Sequence, residues 1–137
     1  MKRIFEELVC ATVFAPQSVD ATTDKTTSFV DASGASEIAF LVSTAALGKG
    51  KALTVTLMGS EKATGDSPAA IGEAVVLTDA VGTEPKMAVA SYKVDPANPR
   101  YIGLKFQHNG DAAVLCSVAA VGRSLYLPAM SGWTVAK

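Results

Sequence analysis

The chain has 137 residues, with 12 basic and 13 acidic side chains, one histidine and a formal net charge of -1. One domain of this length buries roughly two thirds of its unfolded surface, and 49% hydrophobic against 18% charged residues excludes disorder for its body. No block of like charge offers a footprint for nucleic acid or acidic lipid, and no segment reaches the roughly 20 apolar residues of a membrane-spanning helix, so neither partner is expected.

The start, Met1-Lys2-Arg3, imitates a secretory signal, but Glu6 and Glu7 interrupt the apolar stretch that would have to follow. It is therefore read as retained. From Ile4 to Val9 the apolar residues recur at helical spacing, while the residues through Phe14 fit a strand equally well. Residues 1–19 are assigned to an amino-terminal arm, either a short helix or an extended segment.

From Phe29 onward short β-type runs are punctuated by Gly, Pro, Asp and Asn. Phe29 to Ala32 is a weak strand. In Glu37 to Ser43, Ile38, Phe40 and Val42 share one face under the two-residue period of a strand. Gly48-Lys49-Gly50-Lys51 follows as a hairpin turn, and Ala52 to Met58 alternates Leu53, Val55 and Leu57 with Thr54 and Thr56. Gly59 to Gly72 reads as a long loop of small and polar residues. Strands are predicted again at Ala74 to Thr78 and Met87 to Val94, before a stiff corner at Pro96 and Pro99.

Arg100 to Phe106 places Ile102, Leu104 and Phe106 on one face. The Asn109-Gly110 pair predicts a tight hairpin into a partner strand over Ala112 to Val121. The fold class expected is all-β, a β-sandwich or jelly roll of about seven to eight antiparallel strands over 20–124. Leu125 to Trp133, broken by Pro128 and Gly132, reads as a docking tail, so 125–137 is set apart.

Chemistry-bearing constellations are sparse. His108 is the one histidine, and at a strand end beside a turn it is more economically a partner for turn backbone than a general base. No Gly-x-Ser-x-Gly elbow is present, and one histidine leaves no ordinary two-histidine metal site. Gly48 to Lys51 lacks the earlier glycine and the following Ser or Thr of a phosphate loop. Asp20, Asp24, Asp31 and Glu37 lack calcium-loop spacing and read as solvated acids. Cys10 and Cys116 read as small buried hydrophobes in a reducing compartment. No enzyme activity, catalytic residue, metal or cofactor is expected.

What stands out is a set of large apolar groups near the ends. Ile4, Phe5, Leu8, Phe14, Tyr126 and Trp133 are candidate interface residues, the other reading being that they cap the domain's own core.

The order of features from Ile38 to Val121 resembles the small head decoration, or cement, proteins of tailed bacteriophages, of the jelly-roll type found in a Bordetella phage. The residues that carry the resemblance are Leu53-Thr54-Val55-Thr56-Leu57 with its following Gly/Ser loop, Pro99-Arg100-Tyr101-Ile102-Gly103-Leu104, and Asn109-Gly110 leading into a small-residue strand. It covers about the middle two thirds of the chain and is one of pattern. It implies a non-catalytic protein made in the host cytoplasm and bound in many copies to the capsid surface. The partners it implies are the major capsid protein and the chain itself, as a homotrimer. The terminal arms, through Ile4, Phe5, Leu8 and Trp133, would then bury against the capsid or a neighbouring copy. The alternative is a carbohydrate- or ligand-binding β-sandwich of a phage tail or fibre, for which Tyr92 and Tyr101 are the mid-strand aromatics, or another virion component such as a head-completion or tail-tube protein.

Overall fold

The computed structural model describes residues 8–124, and every regular element in them is a strand. Nine follow in order: β1 Leu8–Val19, β2 Lys25–Thr26, β3 Val30–Asp31, β4 Ala35–Thr44, β5 Lys51–Ser60, β6 Ala69–Asp79, β7 Lys86–Lys93, β8 Tyr101–His108 and β9 Val114–Ser124. One sheet, here sheet A, runs β1-β9-β4-β7; the other, sheet B, runs β2-β8-β5-β6 with β3 also on β8. All pairs are antiparallel. Counting β2 and β3 as one interrupted strand, the orders become 1-8-3-6 and 2-7-4-5, which is the strand order of a jelly roll.

Alternation builds the core as the sequence anticipates. Ile38, Phe40 and Val42 of β4 face Leu53 and Val55 of β5 and Ile102, Leu104 and Phe106 of β8, all buried in one cluster. From β9, Val114, Cys116, Val118 and Ala120 complete it. Each large side chain sequestered this way contributes about 1.5–3 kcal/mol relative to exposure.

In this topology nearly every chain-neighbouring strand lies in the opposite sheet, and that overturns several local expectations. The β8–β9 hairpin is not formed: β8 pairs with β5, and β9 with β1 and β4. Asn109 and Gly110 lack the positive φ a tight hairpin turn needs. Asn109 instead locks the crossing onto β5, its N–H donating to Ala52 O at 3.2 Å and its Oδ1 accepting from Ala52 N at 2.7 Å. Gly110 is demanded by space, because a Cβ there would sit 3.0 Å from Leu47 O.

Gly48 to Lys51 is likewise a crossing from sheet A to sheet B, with Gly48 and Gly50 at φ of 113° and 78°. The one hairpin between chain neighbours among the described strands is β5–β6. Its strand starts at Ala69, so the predicted loop over 59–72 shrinks to Glu61 through Pro68.

The 1–19 arm is also corrected. Leu8 to Val19 is the edge strand of sheet A, paired with β9 from Leu8↔Arg123 to Val19↔Val114. Its buried Val9, Val13 and Val19 explain why, since they supply the core-facing side of a strand. The sandwich therefore begins at residue 8 among the described residues, while the 125–137 tail lies outside them.

Candidate interaction surface

The polar groups inside the sandwich serve the fold. His108 is buried, its Nδ1 accepting from Gly110 N at 3.1 Å while its Nε2–H donates to Val19 O at 2.6 Å. Both ring nitrogens are engaged with backbone, which matches the structural role expected for it and ties β8 to the end of β1. Cys116 is buried, and burial pushes its thiol up to about 11, so it is inert at neutral pH. Cys10 is exposed on β1, contrary to the buried role expected for both cysteines, because it faces outward between Val9 and Ala11.

Asp79 is a structural node that sequence reading passed over. Fully buried at the end of β6, it accepts from Leu47 N at 3.0 Å and Gly82 N at 2.8 Å, with Lys86 Nζ at 3.7 Å. Burial pushes its carboxyl up, but the N–H groups of Gly82 and Leu47 and the charge of Lys86 outweigh that and hold it below the ordinary aspartate value. It fastens the β4–β5 crossing to the β6–β7 turn. Among the described residues no group of three or more His, Cys, Asp or Glu is placed to hold a metal.

At the opposite end of the sandwich a cleft of about 720 Å³ opens between the β3–β4 and β7–β8 connections, lined in part by Ala32, Ala35, Lys93, Pro96, Pro99 and Arg100. Its proline corner is braced by the Tyr92 hydroxyl, which accepts from Asp95 N and Asn98 Nδ2, both at 3.2 Å. Arg100 donates to Asp31 through Nε at 2.9 Å and Nη2 at 2.7 Å, and this pairing holds the Asp31 carboxyl well below the usual range. The cleft's arginine is thus committed to a carboxylate of its own chain, and it also lies 5.3 Å from the Tyr101 ring centroid.

The distinctive surface is the outer face of sheet A. The register lines up Thr12, Ala119, Leu41 and Val89 in one row across four strands, Cys10, Val121, Ala39 and Ser91 in the next, and Ser117, Ser43 and Met87 on the other side. None is charged. Charge enters only at one rim, with Glu37, Lys93 and Arg123. The outer face of sheet B carries Thr26, Lys105 and Thr56 in one row and Gln107, Thr54 and Val76 in another, the polar side expected of a solvated strand. An uncharged β face of this extent is a candidate interaction surface.

Of the interface residues named from sequence, Leu8 stands on this outer face, half-buried beside the charged rim. Phe14 does not reach it. A register shift after Thr12 turns its ring inward to meet Phe106 edge-on, with centroids 5.0 Å apart, so it belongs to the core. Ile4, Phe5, Tyr126 and Trp133 lie outside the described residues. Leu41, Ala119, Met87 and Val89 were missed. The signal was available in Ile38-Ala39-Phe40-Leu41-Val42, an apolar run on both faces of a strand whose outer side is not covered by any of the described residues.

No family model matches the chain, and no curated protein matches it in sequence. Solved structures do. The fold aligns with the PBSX exported protein XepA at a TM-score of 0.58 and 9% identity, over 94% of this chain and 42% of that one. The chain therefore spans less than half of XepA. It also aligns with a chain of the naturally occurring empty particles of cowpea mosaic virus, at 0.52 and 11% identity over 100% of this chain and 91% of the other. A third match is to the CBM22-1 and GH10 modules of xylanase Xyn10B from Clostridium thermocellum, at 0.52 and 13% identity over 86% and 25% of the two chains. At these identities the likeness is one of fold, and it places the chain among jelly-roll β-sandwiches.

Proposed function

We propose that this protein is a structural component of a virus particle, a decoration or cement protein that stabilises a tailed-phage head by binding the lattice of the major capsid protein. The observation that carries the reading is the uncharged outer face of sheet A, spread over four strands of a rigid sandwich. Such a face offers area and, the Cys10 thiol apart, no reactive group, which suits a protein that works by being covered. Alignment over nearly the whole of both chains with a chain of an empty viral particle supports a virion setting for the fold.

Attachment joins this face to the terminal segments. Leu8 opens β1 opposite Arg123, one residue before the end of β9, so the chain enters and leaves the described sandwich at the same rim of the face. Ile4 and Phe5 before that point, and Tyr126 and Trp133 after it, extend the apolar contact. Many copies docking at once let individually weak contacts add up.

The test is co-sedimentation of the purified protein with undecorated capsids, followed by electron microscopy. Wild-type protein should saturate the lattice at a fixed copy number. Leu41→Lys, on the outer face, and deletion of residues 1–7 should each reduce occupancy while leaving the fold intact. Deletion through Ala15 is a poor test, because it removes most of β1 and the Phe14 contact with Phe106. Full decoration by both variants would refute the attachment scheme, and no binding by the wild type would refute the function. Aromatic platforms favour no second reading among the described residues: Tyr92 is buried and Tyr101 lies beside Arg100.

A further inference from the structure

Among the described residues six large apolar side chains stand more than half exposed, and five of them, Val75, Val76, Val81, Met87 and Val89, belong to β6, β7 or the turn between them. β6 is the edge of sheet B and β7 the edge of sheet A, and the Lys86–Asp79 contact at 3.7 Å shows that both edges open on one side of the sandwich.

The opposite side is finished in the usual protective ways. There β1 carries Pro16 and two register shifts, β2 and β3 are two residues each, and Ser28 N donates to Val13 O at 2.9 Å to lace the sheets together. The β6–β7 side is less protected. β7 pairs with β4 without interruption from Lys86 to Lys93, and β6 runs for 11 residues with one register shift between Ile71 and Val75.

This open side is stepped. Val75 lies opposite Val55, on the core-facing parity of sheet B, yet Val55 is 3% exposed and Val75 61%. Sheet A does not reach far enough to cover it. Strand β6 therefore projects as a lip while β7 stands back, presenting the small side chains Ala88 and Ala90 at the recess.

We propose that this stepped side is a two-fold interface with a second copy of the chain, in which β6 of each copy pairs antiparallel with β7 of the other. A rotation of 180° about an axis parallel to the strands exchanges the levels of the two sheets. The second copy then presents its lip where the first recedes, and both steps are filled together. The rotation preserves height along the strands, and the Asp79–Lys86 contact joins the end of β6 to the start of β7, which we take as the common reference level. Counting from it, Val76 falls opposite Val89 of the partner copy and Val75 opposite Ala90, a large side chain against a small one on matching faces. Glu73 comes within about one residue of Lys93 of the other copy, opposite in charge.

The other two-fold arrangement, about an axis perpendicular to the sheets, would set lip against lip and pair β7 with itself. With β7 overlapping its copy over its full length, that brings Lys86 opposite Lys93, a like-charge contact, so charge and shape select the same solution. The joint also sets the outer face of sheet A, at Val89, beside the outer face of the second copy's sheet B, at its Val76, so that the two sheet A faces of the dimer point to opposite sides.

Sedimentation velocity on the full chain decides it. A dimer is expected at concentrations up to about 100 µM, and Val75→Lys should weaken it by roughly tenfold or more. Leu115→Lys, which changes the sixth of these exposed residues, away from this side, should leave it intact. A Cys10→Ser, Val76→Cys, Val89→Cys variant should oxidise to a covalent dimer, because directly opposed residues on antiparallel strands lie within disulfide reach. A monomer, a trimer, a dimer indifferent to Val75→Lys, or a triple variant that does not cross-link would overturn the proposal. The inference is independent of the capsid reading, since a monomer that still binds capsids defeats this proposal alone.

Discussion

Replacing His108 with leucine is the sharpest probe of how the two sheets are held together. The side chain is 1% exposed, so a leucine of similar bulk keeps the volume filled and removes only the polar bonds. Two are lost: the one from Nε2 to Val19 O at 2.6 Å, and the one from Gly110 N to Nδ1 at 3.1 Å. Each leaves a buried backbone group without a partner, at about 1–3 kcal/mol apiece, so a loss of about 2–6 kcal/mol is expected against a typical total of about 5–15 kcal/mol. Urea unfolding should show the midpoint falling at nearly constant m-value, with the melting temperature lower by on the order of 10 °C or more. If His108→Leu unfolds within about 0.5 kcal/mol of wild type, the imidazole is not the buried tie between β8 and β1, and the assignment of the β8–β9 crossing is wrong with it.

Thiol labelling gives a second check on the same crossing: Cys10 should react at once in native protein, while Cys116, buried and raised to about 11, should react only as fast as the chain opens. The hydroxyl of Thr44 is buried without a hydrogen-bond partner, so Thr44→Val should raise stability by up to about 1 kcal/mol in the same urea assay. Acid should weaken the fold through Asp79. Its folded value lies below the ordinary 3.8, so its contribution is present above that pH and is lost as pH falls through the folded value. Asp79→Asn should flatten the acid limb of the stability profile measured by urea unfolding between pH 5 and pH 2, and an unchanged slope would remove Asp79 from that role.

Core alternation was legible in the sequence because it depends only on nearest-neighbour periodicity. Ile38, Phe40 and Val42, then Leu53 and Val55, then Ile102, Leu104 and Phe106 could be assigned to one face each from the two-residue rule, and all are buried. Pairing was not legible in the same way. Asn109-Gly110 carries a hairpin signal, but turn chemistry describes a few residues, and the choice between a hairpin and a crossing is settled by which sheet needs the next strand. Here β9 supplies the centre of sheet A, between β1 and β4, and the turn yields to that demand. β1 was obscured for a related reason. Its apolar residues fit two periods, and its two register shifts bring Val13 and Phe14, neighbours in sequence, both toward the core. The candidate surface was half visible, since the doubly apolar run in β4 stands in the sequence, but its extent depends on β4, β7 and β9 lying side by side.

The two sides of the sandwich divide the labour of the molecule. On the β1 side, His108, the Ser28–Val13 bond and the Phe14–Phe106 contact join sheet to sheet, and the edge strands are broken or short. On the β6–β7 side the sheets are tied at one end by Asp79, and beyond it the apolar step is left open. A monomer gains nothing from exposing Val75, Val76, Met87 and Val89 together, because singly scattered apolar residues are ordinary but a contiguous group at two unpaired edges invites association. A protein that lived alone would be expected to extend the protection that Gly72 and Glu73 give the first half of β6 into the second, where this one has Ala74, Val75 and Val76. That asymmetry is what an assembling protein requires: one side closed so that the domain folds by itself, the other left for its neighbours.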